Sequence, residues 1–266
     1  AVTTGQRMHL QPLPAFEDNY IWLLRDDGGR ALIVDPGEAG PVLAALADAP
    51  APHAILLTHH HGDHVGGVAE LLERWPGLPV IAPHDTRIAT ANRRVGDGDM
   101  VEIGPWRFEV LGIPGHTLSH IAFCSRNAGG EGLLFCGDTL FSLGCGRIFE
   151  GTPAQMLASL RKLAALPGDT LVCCGHEYTL ANAAFALAVE PGNAVLRERA
   201  AQARAQRDAG QPTLPATLAS ERACNPFLRS NEAAIRASIE THTGRSLDDD
   251  IDAFAELRRW KDGFRA

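Results

Sequence analysis

The sequence predicts an α/β sheet protein over residues 1–178, followed by an all-helical region over residues 179–266. In the first region, short apolar runs rich in β-branched and aromatic residues alternate with turns that contain Gly and Pro. After Tyr178 these runs cease, and longer segments with the apolar spacing of amphipathic helices take their place. We therefore expect two domains that meet near residue 178.

Short apolar runs bounded by turn residues are expected to form the strands of the first region. They are Tyr20–Leu24, Ala31–Val34, Ala54–Leu57, Pro79–Ile81, Trp106–Leu111, His120–Cys124, Leu133–Phe135 and Leu171–Cys174. A helical pattern runs from Val65 to Trp75. Another helix should begin after Thr152, because Pro153 suits the first helical position and Gln155 completes a capping box.

The tail is expected to be helical because its apolar residues recur with the helical period. The predicted helices are Leu180–Glu190, Ala194–Ala209, Asn231–Thr241 and Leu247–Trp260. Segments with Pro separate the first three helices, and a capping signal at Ser246–Asp249 marks the start of the fourth.

Composition narrows the class of protein. The chain has 266 residues, 45% of them hydrophobic, so it can bury one large core or two smaller ones. No apolar run approaches the ~18 to 20 residues of a membrane span, and Ala1–Arg7 lacks the apolar stretch of a secretory signal. We therefore expect a cytoplasmic protein without membrane contact. We also expect it to be a monomer. A net charge of -8 argues against nucleic acid as a partner, and the six cysteines, without a C-x-x-C pair, should be reduced.

The segment Thr58–His64 is the strongest indication of function. It directly follows an apolar strand and contains His59, His60, His61, Asp63 and His64. Because successive side chains of an extended backbone point to opposite faces, His59 and His61 can converge on one metal ion while His60 points away. Asp63 and His64 lie one bend later and could face a second ion.

Further candidate ligands follow other predicted strands, each directly after a glycine. They are His116, Asp138 and His176. A glycine allows the sharp turn that brings the next side chain onto a shared centre. A single zinc site uses three or four ligands, so the complete set suits two metal ions if one carboxylate, with Asp138 the best candidate, bridges them. Imidazole and carboxylate ligands without thiolate suit zinc, iron or manganese.

The series H-x-H-x-D-H, Gly-His-Thr, Gly-Asp-Thr and Gly-His-Glu, in this order, resembles the metallo-β-lactamase superfamily. The resemblance implies a four-layer αββα sandwich for the first region. It also implies a ligand assignment. His59, His61 and His116 would bind the first metal, and Asp63, His64 and His176 the second, with Asp138 and a solvent hydroxide bridging the two.

Other segments, spread over nearly the whole chain, resemble glyoxalase II, the hydroxyacylglutathione hydrolases. They include Asp18–Trp22, Cys136–Phe141, Gly144–Arg147, Phe149–Thr152, Gly175–Thr179, Asn225–Arg229 and Arg258–Asp262. The resemblance implies hydrolysis of the thioester S-D-lactoylglutathione, and of related S-2-hydroxyacylglutathiones, to D-lactate and glutathione. This is the second step of methylglyoxal detoxification. Residues 1–178 would then form the catalytic domain and residues 179–266 a glutathione-binding domain.

The same resemblance implies roles for individual residues. Asp63 and Asp138 would act in catalysis with the bridging hydroxide, most simply with zinc as the metal. Substrate binding would fall to Arg147, Phe149, Tyr178, Arg258 and Lys261. The family often has Lys in place of Arg147 and Tyr in place of Phe149, so one hydroxyl contact should be missing here. Alternatively, Arg258, Arg259 and Lys261 simply place positive charge at a helix C-terminus.

Three other functions fit parts of the sequence. A sulfur dioxygenase shares much of the ligand set but works with one iron ion and is typically shorter at the C-terminus. A nuclease on the same core would need a basic surface, which the net charge of -8 disfavours. A metal-dependent binding module would explain the ligands but not why the set is complete. We expect the glyoxalase II function.

Overall fold

The computed structural model describes residues 9–126 and 131–266. The described residues form two compact units. Unit 1 comprises those of Ala1–Gly112, Ser119–Gly137 and Cys173–Glu177, and unit 2 comprises Ile113–Leu118, Asp138–Val172 and Tyr178–Ala266. The expectation that Ala1–Arg7 is not a secretory signal concerns residues outside the described part of the chain.

The first sheet of unit 1 has the strand order β1-β2-β3-β4-β5-β6. Its strands are β1 (His9–Ala15), β2 (Asn19–Arg25), β3 (Ala31–Val34), β4 (Ala54–Leu56), β5 (Val80–Pro83) and β6 (Arg93–Val95). The first three strands are antiparallel, and β3 to β6 run parallel. Helices α1 (Gly40–Ala45), α2 (Gly62–Val65) and α3 (Val68–Arg74) lie in the connections. Val42 of α1 and Leu71 of α3 pack with Ile33 and Ile55 in one buried core.

The strands of the second sheet in unit 1 are β7 (Met100–Ile103), β8 (Trp106–Gly112), β9 (Ile121–Ser125), β10 (Leu133–Gly137) and β13 (Leu171–Cys174), of which only Cys173 and Cys174 belong to this unit. The strand order is β13-β10-β9-β8-β7, and β7 to β10 form an antiparallel meander. Every residue of β9 and β10 is buried, as expected for inner strands with both faces covered.

Unit 2 contains a short hairpin and most of the helices. The hairpin strands are β11 (Leu140–Phe141) and β12 (Gly144–Cys145), and β14 (Ala216–Thr217) pairs with Leu171 and Val172. The helices are α4 (Pro153–Ala164), α5 (Thr179–Val189), α6 (Ala194–Asp208), α7 (Leu218–Cys224), a 3-10 helix (Pro226–Leu228), α8 (Ala233–Thr243) and α9 (Asp250–Gly263). Leu143, Ala186 and Leu196 pack in a core shared by the hairpin and the helices.

The predicted elements agree with the structure except in details. Helix α4 starts as predicted, with Thr152 and Gln155 forming both hydrogen bonds of a capping box. The helix predicted from Val65 to Trp75 is present as α3, but it begins only at Val68 because Gly66 and Gly67 separate it from α2. A side chain at Gly67 would lie 2.5 Å from the carbonyl carbon of Glu38, so this close backbone approach requires glycine.

Other features of the described residues also bear on the sequence-based expectations. The tail is not entirely helical, since β14 adds two extended residues. All six cysteines are buried and free, as predicted. Within residues 9–126 and 131–266, no helix is long and apolar enough to cross a membrane.

Candidate metal centre

The histidine-rich loop of unit 1 gathers three of its imidazoles. The backbone leaves β4 extended, His61 at the helix N-cap has φ −60° and ψ 141°, and helix α2 begins at Gly62. The ring of His59 lies 4.9 Å from that of His61 and 4.3 Å from that of His64, centroid to centroid. The ring of His60 also lies near that of His61, at 4.7 Å, but its Nδ1 is 3.6 Å from the Asp85 carboxylate. The backbone is extended and then helical, as expected from the sequence, and the division of these ligands between two ions stays a prediction.

Asp63 lies between two imidazoles of unit 1. Its Oδ2 is 3.4 Å from Nε2 of His64 and 3.3 Å from Nε2 of His176, which the chain supplies directly after β13. Asn19 donates its side-chain amide to the same carboxylate oxygen at 3.0 Å and to the Asp63 carbonyl at 3.1 Å. Residues far apart in sequence therefore fix both the backbone and the carboxylate of Asp63.

The protein fixes the tautomer of several candidate ligands. Nδ1 of His64 lies 3.1 Å from Oδ2 of Asp35, and Nδ1 of His176 lies 2.9 Å from Oδ1 of Asp18. A carboxylate only accepts, so both Nδ1 atoms carry the proton and both Nε2 lone pairs face the other way. Metal-binding histidines are typically oriented by carboxylates in this manner.

His59 follows the same rule through a hydroxyl group. The Thr58 hydroxyl donates to Oδ2 of Asp35 at 2.6 Å, so its oxygen can accept a hydrogen bond from Nδ1 of His59 at 2.9 Å. Asp35, whose φ of 53° places it in the left-handed region, therefore orients two ligands, His64 directly and His59 through Thr58. The buried carboxylate of Asp35 thus orients two candidate ligands of the same loop.

The pKa of Asp63 is shifted by these neighbours. Burial acts to raise it, but in the absence of a metal ion the Nε2 atoms of His176 and His64 can carry protons, and these imidazoles together with the amide of Asn19 then hold the pKa well below its usual range. Asp63 is therefore ionised at neutral pH, which is the form that binds a metal ion.

Unit 2 contains His116 and Asp138. Nε2 of His116 lies 3.5 Å from Oδ2 of Asp138, and its Nδ1 lies 2.7 Å from the carbonyl oxygen of Arg147. A carbonyl only accepts, so this imidazole too presents the Nε2 lone pair on its other side. Gly115, directly before His116, has φ 155°, which supports the sharp turn expected there.

The donor set fits a divalent metal ion. The separations between Nε2 and carboxylate oxygen are 3.3, 3.4 and 3.5 Å. Two ligands at ~2.0–2.1 Å from a tetrahedral zinc ion are roughly 3.3 Å apart. Charged N–H···O hydrogen bonds are shorter, about 2.7–2.9 Å. The spacing is therefore that of ligands around a common ion rather than that of directly hydrogen-bonded pairs.

The five residues predicted to bind substrate all lie in unit 2. Arg147 and Phe149 are exposed, and the Phe149 ring lies 5.2 Å from that of His116. Tyr178 precedes α5 and packs edge-on against Phe141 at 5.0 Å. Arg258 is only 6% exposed, and its Nη1 donates to the Cys145 carbonyl at 2.6 Å. Its guanidinium is thus largely committed to contacts inside the protein.

Lys261 lies one helical turn beyond Arg258 on α9. Burial, together with the positive charges of Arg258 and Arg147, lowers the pKa of its ammonium group below that of an ordinary lysine. An ammonium group among other cations is a good site for a carboxylate.

The sequence motifs do not identify Asp18, Asn19 and Asp35 as parts of the metal centre, although Asp18 and Asn19 belong to a segment that resembles glyoxalase II. Asp35 carries a signal that could have revealed it. Like Asp138, it is an aspartate at the end of a buried apolar strand, here β3. The ring of His120 stacks on that of His59, with 4.4 Å between their centroids.

Gly37 provides a test of how closely Asp63 is held. A Cβ at Gly37 would overlap the backbone carbonyl of Asp63 and lie 2.9 Å from the Phe16 ring. We expect Gly37→Ala to move Asp63, to cost about 1–3 kcal/mol of unfolding free energy and to lower hydrolytic activity at least ~10-fold. Thermal unfolding and kinetic assays measure both effects.

The matched control is Gly40→Ala, since a Cβ at Gly40 has no neighbour within 4 Å. Gly40 precedes Pro41, whose ring disfavours helical backbone for a residue with a Cβ, so we expect a small loss of stability but unchanged activity. Equal behaviour of the two variants would contradict the role assigned to the contact between Gly37 and Asp63.

Comparison with known proteins connects this geometry to a family. Residues 15–176 match the family model of the metallo-beta-lactamase superfamily, and residues 177–264 match that of the hydroxyacylglutathione hydrolase C-terminus. A hydroxyacylglutathione hydrolase of Xylella fastidiosa (strain M23) is 60% identical over 257 residues, which cover 97% of this chain and 98% of the relative.

Solved structures agree on the fold. The BLEG-1 B3 metallo-beta-lactamase superposes with a TM-score of 0.62 at 24% identity, covering 82% of this chain and 99% of that protein. TTHA1623 in a di-iron-bound form gives a TM-score of 0.53 at 31% identity, covering 62% of this chain and 91% of its own. The predicted metallo-β-lactamase fold with a helical C-terminal region is confirmed. The chain belongs to the hydroxyacylglutathione hydrolase, or glyoxalase II, family of the metallo-beta-lactamase superfamily.

Proposed function

We propose that this chain hydrolyses S-D-lactoylglutathione and related S-2-hydroxyacylglutathiones to a 2-hydroxy acid and glutathione, as the second step of methylglyoxal detoxification. One observation carries the proposal. His59, His64, His116 and His176 each have Nδ1 within hydrogen-bonding distance of a protein oxygen, so that Nε2 is left as a ligand atom. The 60% identity to a hydroxyacylglutathione hydrolase supports the choice of substrate.

The proposed centre holds two divalent ions. Following the motif order of the superfamily, His59, His61 and His116 would hold the first, Asp63, His64 and His176 would hold the second, and Asp138 would be shared by both. Zinc is the expected metal because the ligands are imidazoles and carboxylates, with iron and manganese as alternatives. The structure of TTHA1623 in a di-iron-bound form supports room for two ions in this fold.

When bound, such ions lower the pKa of a shared water to about 7 and polarise the carbonyl that it attacks. The chain's own residues supply orientation. Asp63 is ionised and fixed by Asn19, so its carboxylate can accept a hydrogen bond from the attacking water as well as bind metal. The thiol of glutathione resembles that of cysteine, with a pKa near 8.5, and so leaves as a thiolate without a dedicated general acid.

Glutathione recognition is proposed for Arg147, Tyr178, Arg258 and Lys261. Its glycine carboxylate suits cationic and hydroxyl donors. Arg258 already donates to the Cys145 carbonyl and to Asp262. Its proposed role is therefore to add positive charge beside Arg147 and Lys261 and to hold this cationic surface in place. The exposed Arg147 and the half-buried Lys261 are better placed to bind the carboxylate directly.

The lowered pKa of Lys261 predicts that substrate binding depends on pH. Because its pKa is lowered, the ammonium group loses its proton, and with it its attraction for a carboxylate, at a lower pH than an ordinary lysine. We expect KM for S-D-lactoylglutathione to rise as the pH increases from about 7 towards about 10. Lys261→Arg, which stays charged over this range, should show a flatter KM profile. Parallel profiles would rule out titration of Lys261 as the cause.

Replacement of Phe149 by tyrosine is expected to increase affinity for the substrate. The ring is exposed beside His116, where the family often has Tyr. We expect Phe149→Tyr to restore a hydrogen bond worth on the order of 1 kcal/mol and so to lower KM about 5-fold. Phe264→Tyr, a half-buried ring 5.3 Å from Phe185, is the control and should leave KM unchanged. An unchanged or higher KM in Phe149→Tyr would contradict the missing-hydroxyl hypothesis.

The domain boundary near residue 178 is also proposed. It is supported by the two family models, which meet between residues 176 and 177. The monomeric state and the cytoplasmic location stay predictions from the sequence, and sedimentation of the purified protein and fractionation of cells test them.

The proposed reaction is distinguished from its rivals by a panel of substrates. Metal-loaded protein is offered S-D-lactoylglutathione, glutathione persulfide with oxygen, and single-stranded DNA in parallel. We expect cleavage of the thioester alone. Oxygen consumption with the persulfide and no thioester cleavage would instead indicate a sulfur dioxygenase, and phosphodiester cleavage would indicate a nuclease.

A further inference from the structure

The hairpin formed by β11 and β12 in unit 2 is held mainly by buried side chains of the helical tail. Its turn residue Leu143 has φ 62°, a left-handed conformation that is costly for a branched side chain. A turn in a costly backbone conformation persists only where contacts with the surrounding structure stabilise it. The polar groups that contact this hairpin are therefore informative.

Asn225, at the end of α7, contacts both sides of the turn. Its Nδ2 donates to the carbonyls of Phe141 and Gly144, each at 3.0 Å, and its Oδ1 accepts from the amide of Phe227 at 3.0 Å. The residue is fully buried, and both ends of its amide are engaged. It links the two strands of the hairpin to the tail.

Glu221, one turn earlier on α7, holds the residues between those carbonyls. Its Oε1 accepts from the amide of Leu143 at 2.8 Å, and its Oε2 accepts from the hydroxyl of Ser142 at 2.9 Å. The same hydroxyl accepts from Arg199 at 3.1 Å. Burial raises the pKa of Glu221, while these hydrogen bonds and the Arg199 charge oppose the rise. This carboxylate satisfies the backbone amide of the strained residue.

Two further tail residues complete the contacts. Asn182 of α5 donates to the carbonyl of Ser142 at 3.1 Å, and Arg258 of α9 donates to the carbonyl of Cys145. Helices α5, α7 and α9 thus each contribute a buried donor to the hairpin carbonyls. Such a network specifies one conformation because each unmade hydrogen bond would leave a buried polar group unsatisfied.

The end of the hairpin contacts two of the proposed metal ligands. The amide of Gly146 donates to the carbonyl of Thr139 at 3.1 Å, and a Cβ at Gly146 would overlap the carbonyl oxygen of Asp138. The carbonyl of Arg147 accepts from Nδ1 of His116 at 2.7 Å. The path of residues 146 and 147 therefore sets the backbone of Asp138 and the ring orientation of His116.

We propose that Glu221 and Asn225 are positioning residues for the metal ligands His116 and Asp138, and that they act through the β11–β12 hairpin. The helical tail then has a second task besides substrate binding, since it orders part of the metal centre. This inference rests on the proposed function, because it requires that His116 and Asp138 bind metal.

Asn225→Asp tests the proposal. The substitution preserves shape but turns a carboxylate towards the carbonyls of Phe141 and Gly144, so the hairpin should shift. Loss of a group that is hydrogen-bonded directly to a metal ligand typically weakens metal binding or activity 10- to 100-fold, and Asn225 acts one step further away, so a change of up to about 10-fold is expected. We expect that change in zinc affinity, measured by competition with a chromogenic chelator, and a lower kcat that excess zinc partly restores.

Asn193→Asp is the matched control. Its amide also donates to two oxygens, of Glu190 and Ala223, and its Oδ1 also caps a helix amide, but the hairpin is not among its partners. We expect it to lower the unfolding temperature without changing zinc affinity. If both variants lose stability and neither loses zinc affinity, the two asparagines have only structural roles and the proposal is overturned.

Glu221→Gln provides a second variant in case Asn225→Asp does not fold. Glutamine can still accept from the Leu143 amide, so we expect a milder loss of zinc affinity than in Asn225→Asp. Zinc affinity equal to that of the wild type in Glu221→Gln would contradict the role of the carboxylate. If the wild-type protein itself neither binds zinc nor cleaves the thioester, the proposed function fails, and that outcome is distinct from failure of this inference.

Discussion

Replacement of Asp138 by alanine is expected to remove at least one metal ion per chain and nearly all hydrolytic activity. Asp138 is the carboxylate that the proposed assignment shares between the two ions, and its Oδ2 lies at ligand spacing, 3.5 Å, from Nε2 of His116. Without it the remaining ligands are neutral imidazoles apart from Asp63, so two adjacent dications would repel one another with little compensation. We expect kcat to fall by at least ~10³-fold.

The measurement combines metal analysis of the purified variant with thioester hydrolysis on the same sample. Asp26→Ala is a suitable control, because Asp26 also makes several hydrogen bonds, to Gly28, Arg30 and His53, in a surface turn of unit 1. It should lose stability and retain both ions. An Asp138→Ala protein that kept two ions and its activity would overturn the bridging assignment.

The candidate ligands could be found from the sequence because each follows a strand within a short motif. His59, His61, Asp63 and His64 occupy one loop, and the local alternation of the backbone predicts how they divide between two ions. The groups that orient them could not be found in this way. Asp18 reaches His176 across 158 positions of sequence, and Asp35 reaches His64 across 29 positions. Such contacts depend on strand order, which periodicity does not specify.

The fold was predictable where sequence patterns are strong. All the predicted strands and tail helices are present within a few residues of their expected bounds. Strand β1 was missed because Pro12 and Pro14 argue against an ordinary strand, whereas β1 lies at the edge of its sheet, where proline is tolerated. The break at Gly66 and Gly67 was missed because it reflects close approach to a distant loop, not a local preference.

The role of Arg258 could not be decided from its charge alone. From the sequence it is a cation near the end of the last helix, suited either to the substrate or to the helix dipole. In the structure it is buried, donates to the Cys145 carbonyl and lies over the ring of Phe227 at 5.1 Å. Asn225 and Glu221 are similar cases, because their partners lie about 80 residues earlier in the chain.

The central claim is that metal ions held by the histidine and aspartate ligands are required for thioester hydrolysis. It is tested by following S-D-lactoylglutathione at the thioester absorbance with one protein sample before chelation, after chelation and after zinc is restored. Metal content is measured at each stage, and circular dichroism checks that the chelated protein remains folded.

We expect two ions per chain and rapid hydrolysis at the start, loss of hydrolysis in step with loss of metal, and recovery with added zinc. Metal-free, folded protein that still cleaves the thioester at the original rate would contradict the claim, as would fully metallated protein that does not cleave it.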